Sequence, residues 1–392
     1  MSEQKTRVVV IGGGYAGVLA ANRLGKNPDV AVTLLNARPR FVERIRLHQL
    51  VVGSDDATES YDDVLASGAE LVVDSATRID AGARRVELAG GSVLDYDYLI
   101  YAVGSTGAVP AAVPGATEFA YPISELEEAQ RLRARLQDVP MTAPVVVVGG
   151  GLTGIETASE FAEAGRKVTL VGDALGPSLG SSGRKSVAKA LRKLGVRVVE
   201  GATVAAIAAD RVTLSDGREL PSQATVWTAG FGVPGLAAAS GLSTDGLGRL
   251  RTDETLTSID DPRIIAAGDA ASPSGLPLRM SCQAALPLGA QAAETVLARI
   301  AGGQPKPISQ AFTGQCISVG RTYGTVQLAH TDDRPIRAYI GGRTAAFIKE
   351  QVCRFTVTSL RREAGKPGSY FWLKSDWRTA QLADTREGAP VR

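Results

Sequence analysis

The chain has 392 residues, 44% of them apolar and 21% charged, and a formal net charge of +2. This length favours two or three domains. The balance excludes a disordered, collagen-like or membrane-spanning chain, and the near-neutral total carries no strong electrostatic footprint for nucleic acid. Only three cysteines (Cys282, Cys316, Cys353) and two histidines (His48, His330) are present, with no C-x-x-C pair. That scarcity argues against a disulfide framework or a structural zinc, fits a reducing compartment, and leaves no metal site to expect.

The first element is the short β-branched run Arg7 to Ile11, read as a buried parallel strand rather than a leader, whose apolar core would be longer. Gly12-x-Gly14-x-x-Gly17 follows and opens a helical stretch to Leu24. Strand, glycine turn and helix stand in the order a dinucleotide fold needs. Gly12 permits the tight turn, Gly14 lets a pyrophosphate approach the backbone, and Gly17 lets helix and strand pack closely. The helix N-terminus adds amide donors for phosphate. The next strand, Val30 to Leu35, ends at Asn36, in the slot where an acidic residue reads a ribose. Asn36 keeps the hydrogen-bonding capacity without the charge.

The pattern then recurs. Val145 to Val148 leads into Gly149-x-Gly151-x-x-Gly154, a helical run from Ile155 to Ala164, and a strand whose VTLV matches the earlier VTLL. In both copies alternating strands precede an apolar strand that ends in a small residue and glycine, at Val103-Gly104-Ser105 and at Ala229-Gly230-Phe231. Two matching units of this length are a domain duplication, not a solenoid, and imply two nucleotides brought together. Between Arg263 and Ala267 another apolar strand ends in Gly268-Asp269, ahead of a helix predicted over Ser281 to Ile300. Such an aspartate either meets a sugar hydroxyl or simply caps a turn.

The motifs GGGYAG, YDYLIYAVGS, GGGLTGIETASE, ATVWTAG and IIAAGDAA resemble those of the two-dinucleotide-binding-domain flavoproteins, over about residues 6–330. The resemblance implies an α/β fold with two Rossmann-like domains and a small α+β domain after them. The FAD domain would be discontinuous, residues 1–112 and 253–310, with the NAD(P)H domain, 113–252, inserted and an interface or acceptor domain over 311–392. It implies FAD bound through Gly12, Gly14, Tyr15, Ala16, Gly17, Asn36, Arg44, Ala76, Gly104, Gly268, Asp269, Gln283 and Ala284. NADH or NADPH would be the co-substrate, held by Gly149, Gly151, Leu152, Thr153, Gly154 and Gly230. Glu156 matches a family glutamate near the meeting point of nicotinamide and flavin; the alternative is a helix-surface carboxylate.

Within that superfamily the chain looks most like type II NADH dehydrogenases and their apoptosis-inducing-factor-like relatives. LHQLVVG, containing His48, is similar to a segment running beside the flavin, and CQAALPLG, containing Gln283, to one at the flavin and quinone site. His48 has two readings, a partner of flavin or acceptor and a packing histidine. Arg44 and Arg46 flank it, either reaching the pyrophosphate or lying on the surface. Pro287 stands where that family has a glutamine lining the quinone pocket, and it removes an amide, so the helix is expected to start late or kink. No cysteine precedes Cys282, which excludes a redox disulfide in the FAD domain. Cys316 and Cys353 read as small buried apolar residues.

Beyond Phe312, TGQCISVG and RTYGTVQLAH alternate like strands. Thr344 to Leu360 is predicted helical, with Ile348, Val352 and Phe355 on one face and Lys349, Arg354, Arg361 and Arg362 nearby. The resemblance offers a peripheral membrane contact for this helix; packing against the protein itself or a homodimer partner is the favoured alternative. The resulting expectation is a cytoplasmic FAD-dependent NAD(P)H oxidoreductase in which Glu156, His48 and Gln283 serve the chemistry. Electrons would pass to a quinone, another small molecule or a redox protein. Ferredoxin or rubredoxin reductase, a tailoring enzyme of specialised metabolism, and a redox-sensing binding protein are the other readings. Nucleotide preference stays open, since Gly172 fills the acidic slot of the second copy, with Asp173, Arg184 and Lys185 following.

Overall fold

The computed structural model describes residues 5–386, so the outermost ends of the expected domains, 1–4 and 387–392, lie outside the described residues. Strand β1 (Thr6–Ile11), helix α1 (Tyr15–Leu24) and strand β2 (Val30–Asn36) form the first strand–turn–helix–strand unit. Helix α2 (Leu47–Val52) follows. The unit recurs, after helix α3 (Leu126–Asp138), as β3 (Pro144–Val148), α4 (Leu152–Glu163) and β4 (Lys167–Val171). Strand β5 (Ile264–Ala266) precedes the long helix α5 (Cys282–Ile300). The last module contains β6 (Gly314–Val319), β7 (Tyr323–Ala329), β8 (Pro335–Gly341) and α6 (Gly342–Gly365).

Each half is built on a five-stranded parallel sheet. The first has the order β5, Tyr98–Tyr101, β1, β2, Ala69–Val73, and the second Ala120–Pro122, Ala224–Trp227, β3, β4, Arg197–Val199. In their central strands Val8, Val9, Val10 and Ile11, and Val145, Val146, Val147 and Val148, are apolar and buried on both faces, as parallel sheets require. Each sheet carries a three-stranded antiparallel appendage, Ala76–Asp80 with Arg85–Leu88 and Val93–Asp95, and Val204–Ile207 with Arg211–Leu214 and Glu219–Pro221. Strand β5 returns to the first sheet long after the second has been completed, so that sheet is assembled from two separate stretches of chain.

The duplication is physical as well as textual. In the first copy Gly12 N donates to Leu35 O at 2.8 Å, and in the second Gly149 N donates to Val171 O at 2.7 Å. Gly12 has φ +104° and Gly149 φ +120°, backbone that side chains resist. A Cβ on Gly17 would stand 1.8 Å from Gly12 O, and one on Gly154 1.8 Å from Gly149 O. The third glycine of each loop is thus a packing requirement.

Helix α5 crosses α1 equally closely, since a Cβ on Gly289 would lie 2.2 Å from Ala16 O. The expectation of a late start for α5 is corrected: it begins at Cys282, capped by Ser281, and continues through Pro287. Pro287 has no amide to offer Gln283 O four residues back, and the buried Gln310 Nε2 donates to that carbonyl instead, at 3.0 Å.

The C-terminal module bridges both halves. Its β-sheet packs on α4 and on helix Ser181–Lys193, where Ser186 Oγ lies 3.0 Å from Thr325 Oγ1. Its helix α6 runs along α1, where Asn22 Nδ2 donates to Leu360 O (3.1 Å) and the buried Arg23 pairs with buried Glu363 at 2.7 Å. The expected face of α6 is corrected too. Phe355 and Val352 point outward, Lys349 points inward, and the helix packs through Ala345, Cys353, Thr356, Val357 and Leu360. Among the described residues no helix is long and apolar enough to cross a membrane.

The 1.8 Å clash sets one expected outcome. Gly17→Ala destabilises the protein by about 3 kcal/mol, at the upper end of overpacking costs, as read from denaturant midpoints, whereas Gly68→Ala, with open space around it, changes the midpoint little.

Candidate functional site

The first glycine loop opens onto a cleft of about 370 Å³ between the two halves. Helix α1 starts at Gly14 with no side-chain cap, so its first-turn amides are left for a ligand. A Cβ on Gly14 would meet nothing within 4 Å, so this glycine faces free space while Gly12 and Gly17 face backbone. Gly13 is clamped: its N donates to Asn36 Oδ1 at 2.9 Å, and Tyr61 Oη donates to its carbonyl at 2.8 Å. Asn36 also donates to Arg38 O. Its side chain therefore shapes the loop as well as lining the cleft.

At the other end of the cleft a relay of polar contacts fixes Asp269. Arg44 Nε donates to Ser124 O at 2.9 Å and Nη1 to Ser105 Oγ at 3.0 Å, and Ser105 Oγ donates to Asp269 Oδ2 at 2.7 Å. This leaves Asp269 Oδ1 for a hydroxyl. Of the sequence-derived cofactor residues, Gly12, Gly14, Tyr15, Ala16, Asn36, Arg44, Ala76, Gly104, Gly268 and Asp269 line this one cleft. Gly17 lies behind it. Ala284 is buried within α5, whose next residue, Ala285, takes the lining position. Gln283 turns its amide to Thr313, 2.9 Å away, and is not among the lining residues. Sequence reading missed Tyr61 and the latch of Arg38 to Glu125 (3.0 Å) and Glu127 (2.6 Å), which spans the cleft mouth. Neither has a local motif.

The second loop repeats the cradle. Helix α4 starts at Gly151 with no side-chain cap, so Leu152, Thr153 and Gly154 supply its first amides, and space around Gly151 is open. Gly230, φ +83°, ends the strand alongside, as Gly104, φ +72°, does in the first copy. The copies differ at the ribose slot. A Cβ on Gly172 would sit 2.6 Å from Gly150 N, so this position admits no side chain and leaves exposed Asp173 as the nearest acid in the chain.

Glu156, His48 and Lys349 meet where α4, α2 and α6 converge, and all three are largely buried. Lys349 Nζ is 3.2 Å from Glu156 Oε1, which also accepts from Ser318 N at 2.9 Å. Burial opposes the charge on Glu156, but Lys349, His48 and the Ser318 amide together hold its carboxyl below the usual range. Burial also opposes the charge on Lys349, and Glu156 holds its ammonium well above the ordinary value. Burial pushes the His48 imidazole down to about 4 against the pull of Glu156, and its Nε2 has no hydrogen-bond partner. The same face of α4 presents Glu160 to Arg321 at 2.9 Å, and Arg321 N donates to Glu163 at 2.6 Å. Cys282, Cys316 and Cys353 stand close enough to Lys349 to feel its charge, and all three are free thiols raised by burial. Nothing in the sequence separated Lys349 from its basic neighbours on α6; only the fold turns it inward.

Residues 6–295 match the pyridine nucleotide-disulphide oxidoreductase family. The chain belongs to that family. An NADH dehydrogenase-like protein of Mycobacterium tuberculosis is 36% identical over 322 residues, covering 74% of this chain and 80% of the relative. The type II NADH:quinone oxidoreductase of the same organism is 27% identical over 368 residues, covering 81% and 78%. In fold the chain is similar to the sulfide:quinone oxidoreductase of Aquifex aeolicus, with a TM-score of 0.78, 21% identity, and 91% and 92% of the two chains covered. This member is an oxidoreductase of the two-nucleotide flavoprotein type, with FAD as cofactor and a nicotinamide nucleotide as co-substrate. The open cradle at Gly14, the uncapped amides of α1 and the free oxygen of Asp269 fit the diphosphate and sugar alcohol of FAD.

Two outcomes follow. Gly14→Val keeps the fold, since its side chain enters open space, but its flavin content on purification drops at least about tenfold, as measured by absorbance. Because folded His48 refuses a proton that the unfolded chain accepts below pH 6.5, stability falls as pH drops from 6.5 towards 4. Thermal melts of His48→Gln across that window lose this component of the slope.

Proposed function

We propose that this chain oxidises NADH or NADPH and delivers the electrons to a quinone, with FAD held in the first glycine cradle between donor and acceptor. The observation that carries this reading is the doubled cradle: two loops in the same register, each with its third glycine packed on backbone and its middle glycine open to a ligand. The type II NADH:quinone oxidoreductase among the relatives supports the choice of acceptor. On this reading residues 1–112 and 253–310 form the FAD domain, 113–252 the NAD(P)H domain and 311–392 the acceptor domain. The return of β5 to the first sheet supports that division.

When bound, FAD supplies hydride acceptance from the nicotinamide and release of electrons to the acceptor. The chain supplies alignment and charge. The amides of Tyr15, Ala16 and Gly17 take the diphosphate of FAD, and those of Leu152, Thr153 and Gly154 that of the nicotinamide nucleotide. Asp269, its second oxygen fixed by Ser105, orients a sugar hydroxyl. Ala285, in the first turn of α5, lines the cleft, so the positive end of that helix dipole would stabilise negative charge there.

Glu156, Lys349 and His48 are the groups that serve the acceptor. An ionised Glu156 keeps Lys349 charged in a buried place, where an ammonium strongly polarises a carbonyl oxygen. Neutral His48 offers its unpartnered Nε2 as a hydrogen-bond partner for the acceptor. Hydride transfer itself needs alignment and no catalytic acid, so these residues act on the oxidative half of the cycle. Pro287 offers the quinone no side-chain hydrogen bond, which shifts that duty to Lys349.

Anaerobic stopped-flow mixing with NADH and with NADPH tests the reductive half: rapid bleaching of the flavin is expected with at least one of them, and none with either overturns the donor assignment. Lys349→Met separates the halves. Bleaching by the preferred nucleotide stays within about twofold of the parent while steady-state reduction of a soluble quinone falls at least about tenfold. Equal quinone turnover in the variant removes Lys349 from the acceptor site.

A further inference from the structure

Outside the nucleotide cleft the molecule carries a second cavity of about 400 Å³, within the size range of small-molecule sites. One wall is the outer face of α5, where Gln291, Glu294 and Ala298 stand on successive turns. The other is the extended segment 369–376, which follows α6 and crosses back over α5. Side chains in that segment alternate. Tyr370 and Trp372 turn inward and pack on the main core, while Phe371 and Leu373 stand out, 81% and 58% exposed. The segment is anchored by side chains: Trp372 Nε1 donates to Ser309 O at 2.8 Å, Trp377 Nε1 to Gln310 O at 2.6 Å, and Arg23 to Tyr370 O.

Two features give the cavity a chemistry. The first is aromatic. Tyr370 and Trp372 lie nearly parallel, 17° apart with centroids 6.2 Å apart, and Phe371 borders the opening. Tyr370, Arg23 (5.6 Å from the Trp372 ring centre) and Lys374 already flank Trp372, so a further ring can take the exposed Phe371 and the part of Trp372 that Lys374 vacates when it swings to an anion. The second is charge. Arg23 is neutralised by Glu363 (2.7 Å) and Glu294 (3.5 Å), and Lys26 pairs with Glu294 as well, at 2.8 Å. That leaves Lys306 and Lys374 on the lining without a carboxylate partner among the described residues. Lys374 Nζ rests 5.3 Å from the centre of the Trp372 ring, a cation held against an aromatic face and free to swing to an anion. By contrast, the arginines of the nucleotide cleft mouth are already engaged, Arg38 by two glutamates and Arg44 by Ser124 and Ser105.

We propose that this cavity is a second ligand site, taking a flat aromatic ring that bears an anionic group. The ring lies against Phe371 and the Trp372 surface that Lys374 leaves, and the anion is held by Lys306 and Lys374. A nucleotide and an aromatic carboxylate share that chemistry. The site is separate from both glycine cradles, so it stands whether or not the proposed acceptor is a quinone.

The test is calorimetric titration of the FAD-loaded protein, saturated with NADH under anaerobic conditions, with 1-naphthoate and separately with ADP. Saturable binding of at least one is expected, with a dissociation constant that rises about tenfold or more in Lys374→Glu and in Lys306→Glu. The same constant is unchanged in Lys189→Glu, an exposed lysine on the far helix Ser181–Lys193. Trp372→Ala weakens binding further; the exposed lysine variants carry the test if that variant does not fold. Stronger binding of ADP identifies a nucleotide as the ligand, and stronger binding of 1-naphthoate an aromatic acid. Absence of binding by both up to about 1 mM, or binding indifferent to both charge reversals, overturns the proposal.

Discussion

The approach of α1 to the turn before it, with Gly17 packed against the carbonyl of Gly12, is the constraint on which the rest of the molecule depends. It brings the helix N-terminus up to the end of β1, so that uncapped amides face the space beyond the sheet edge. It also brings Ala16 into reach of Gly289, and α5 can cross α1 only because both positions lack bulk. That crossing carries the start of α5 to the cleft and sets the strand end bearing Asp269 opposite the glycine loop. The second half repeats the contact at Gly154 and Gly149, giving a second helix the same aim.

Two such halves would still be free to move against each other. The C-terminal module couples them through charge as well as through apolar packing. It reads a row of glutamates on α4, with Lys349 on Glu156, Arg321 on Glu160 and the Arg321 amide on Glu163, while its helix holds α1 through the buried pair of Arg23 and Glu363. Buried pairs of this kind add little net stability against an apolar alternative, yet losing one partner costs several kcal/mol, so they specify a single arrangement. The module therefore fixes the relative position of two nucleotide cradles while contributing to the polar group beside them.

The two loops show how near-identical sequence is turned to different ends. In the first copy Asn36 reaches back to Gly13 and, with Tyr61, makes a rigid clamp on the middle of the loop. In the second, Gly172 stands in the same register and the following loop folds over Gly150, with Gly176 N donating to the Gly150 carbonyl. The first arrangement suits a resident cofactor, since its loop is braced from both sides. In the second, position 172 admits no side chain, so no such clamp forms there.

What the sequence by itself determined is the pair of nucleotide units, their order and their glycine positions. These rest on short-range physics: a strand end, a turn needing positive φ and a helix start occur within a few consecutive residues, so local pattern is enough. The relay from Arg44 through Ser105 to Asp269 was half legible, because Asp269 sits in a motif while its partners come from distant segments. Lys349, Arg321 and the cavity under the segment 369–376 belong to the tertiary structure alone. Which face of α6 turns inward was decided by the fit of small residues such as Ala345 and Ala346 against β7, where Gly324 makes room, and not by where the large apolar side chains fall along the helix. Side-chain periodicity reports a helix, but only its neighbours decide which stripe is buried, and the sites made of residues more than a hundred positions apart came into being with that decision.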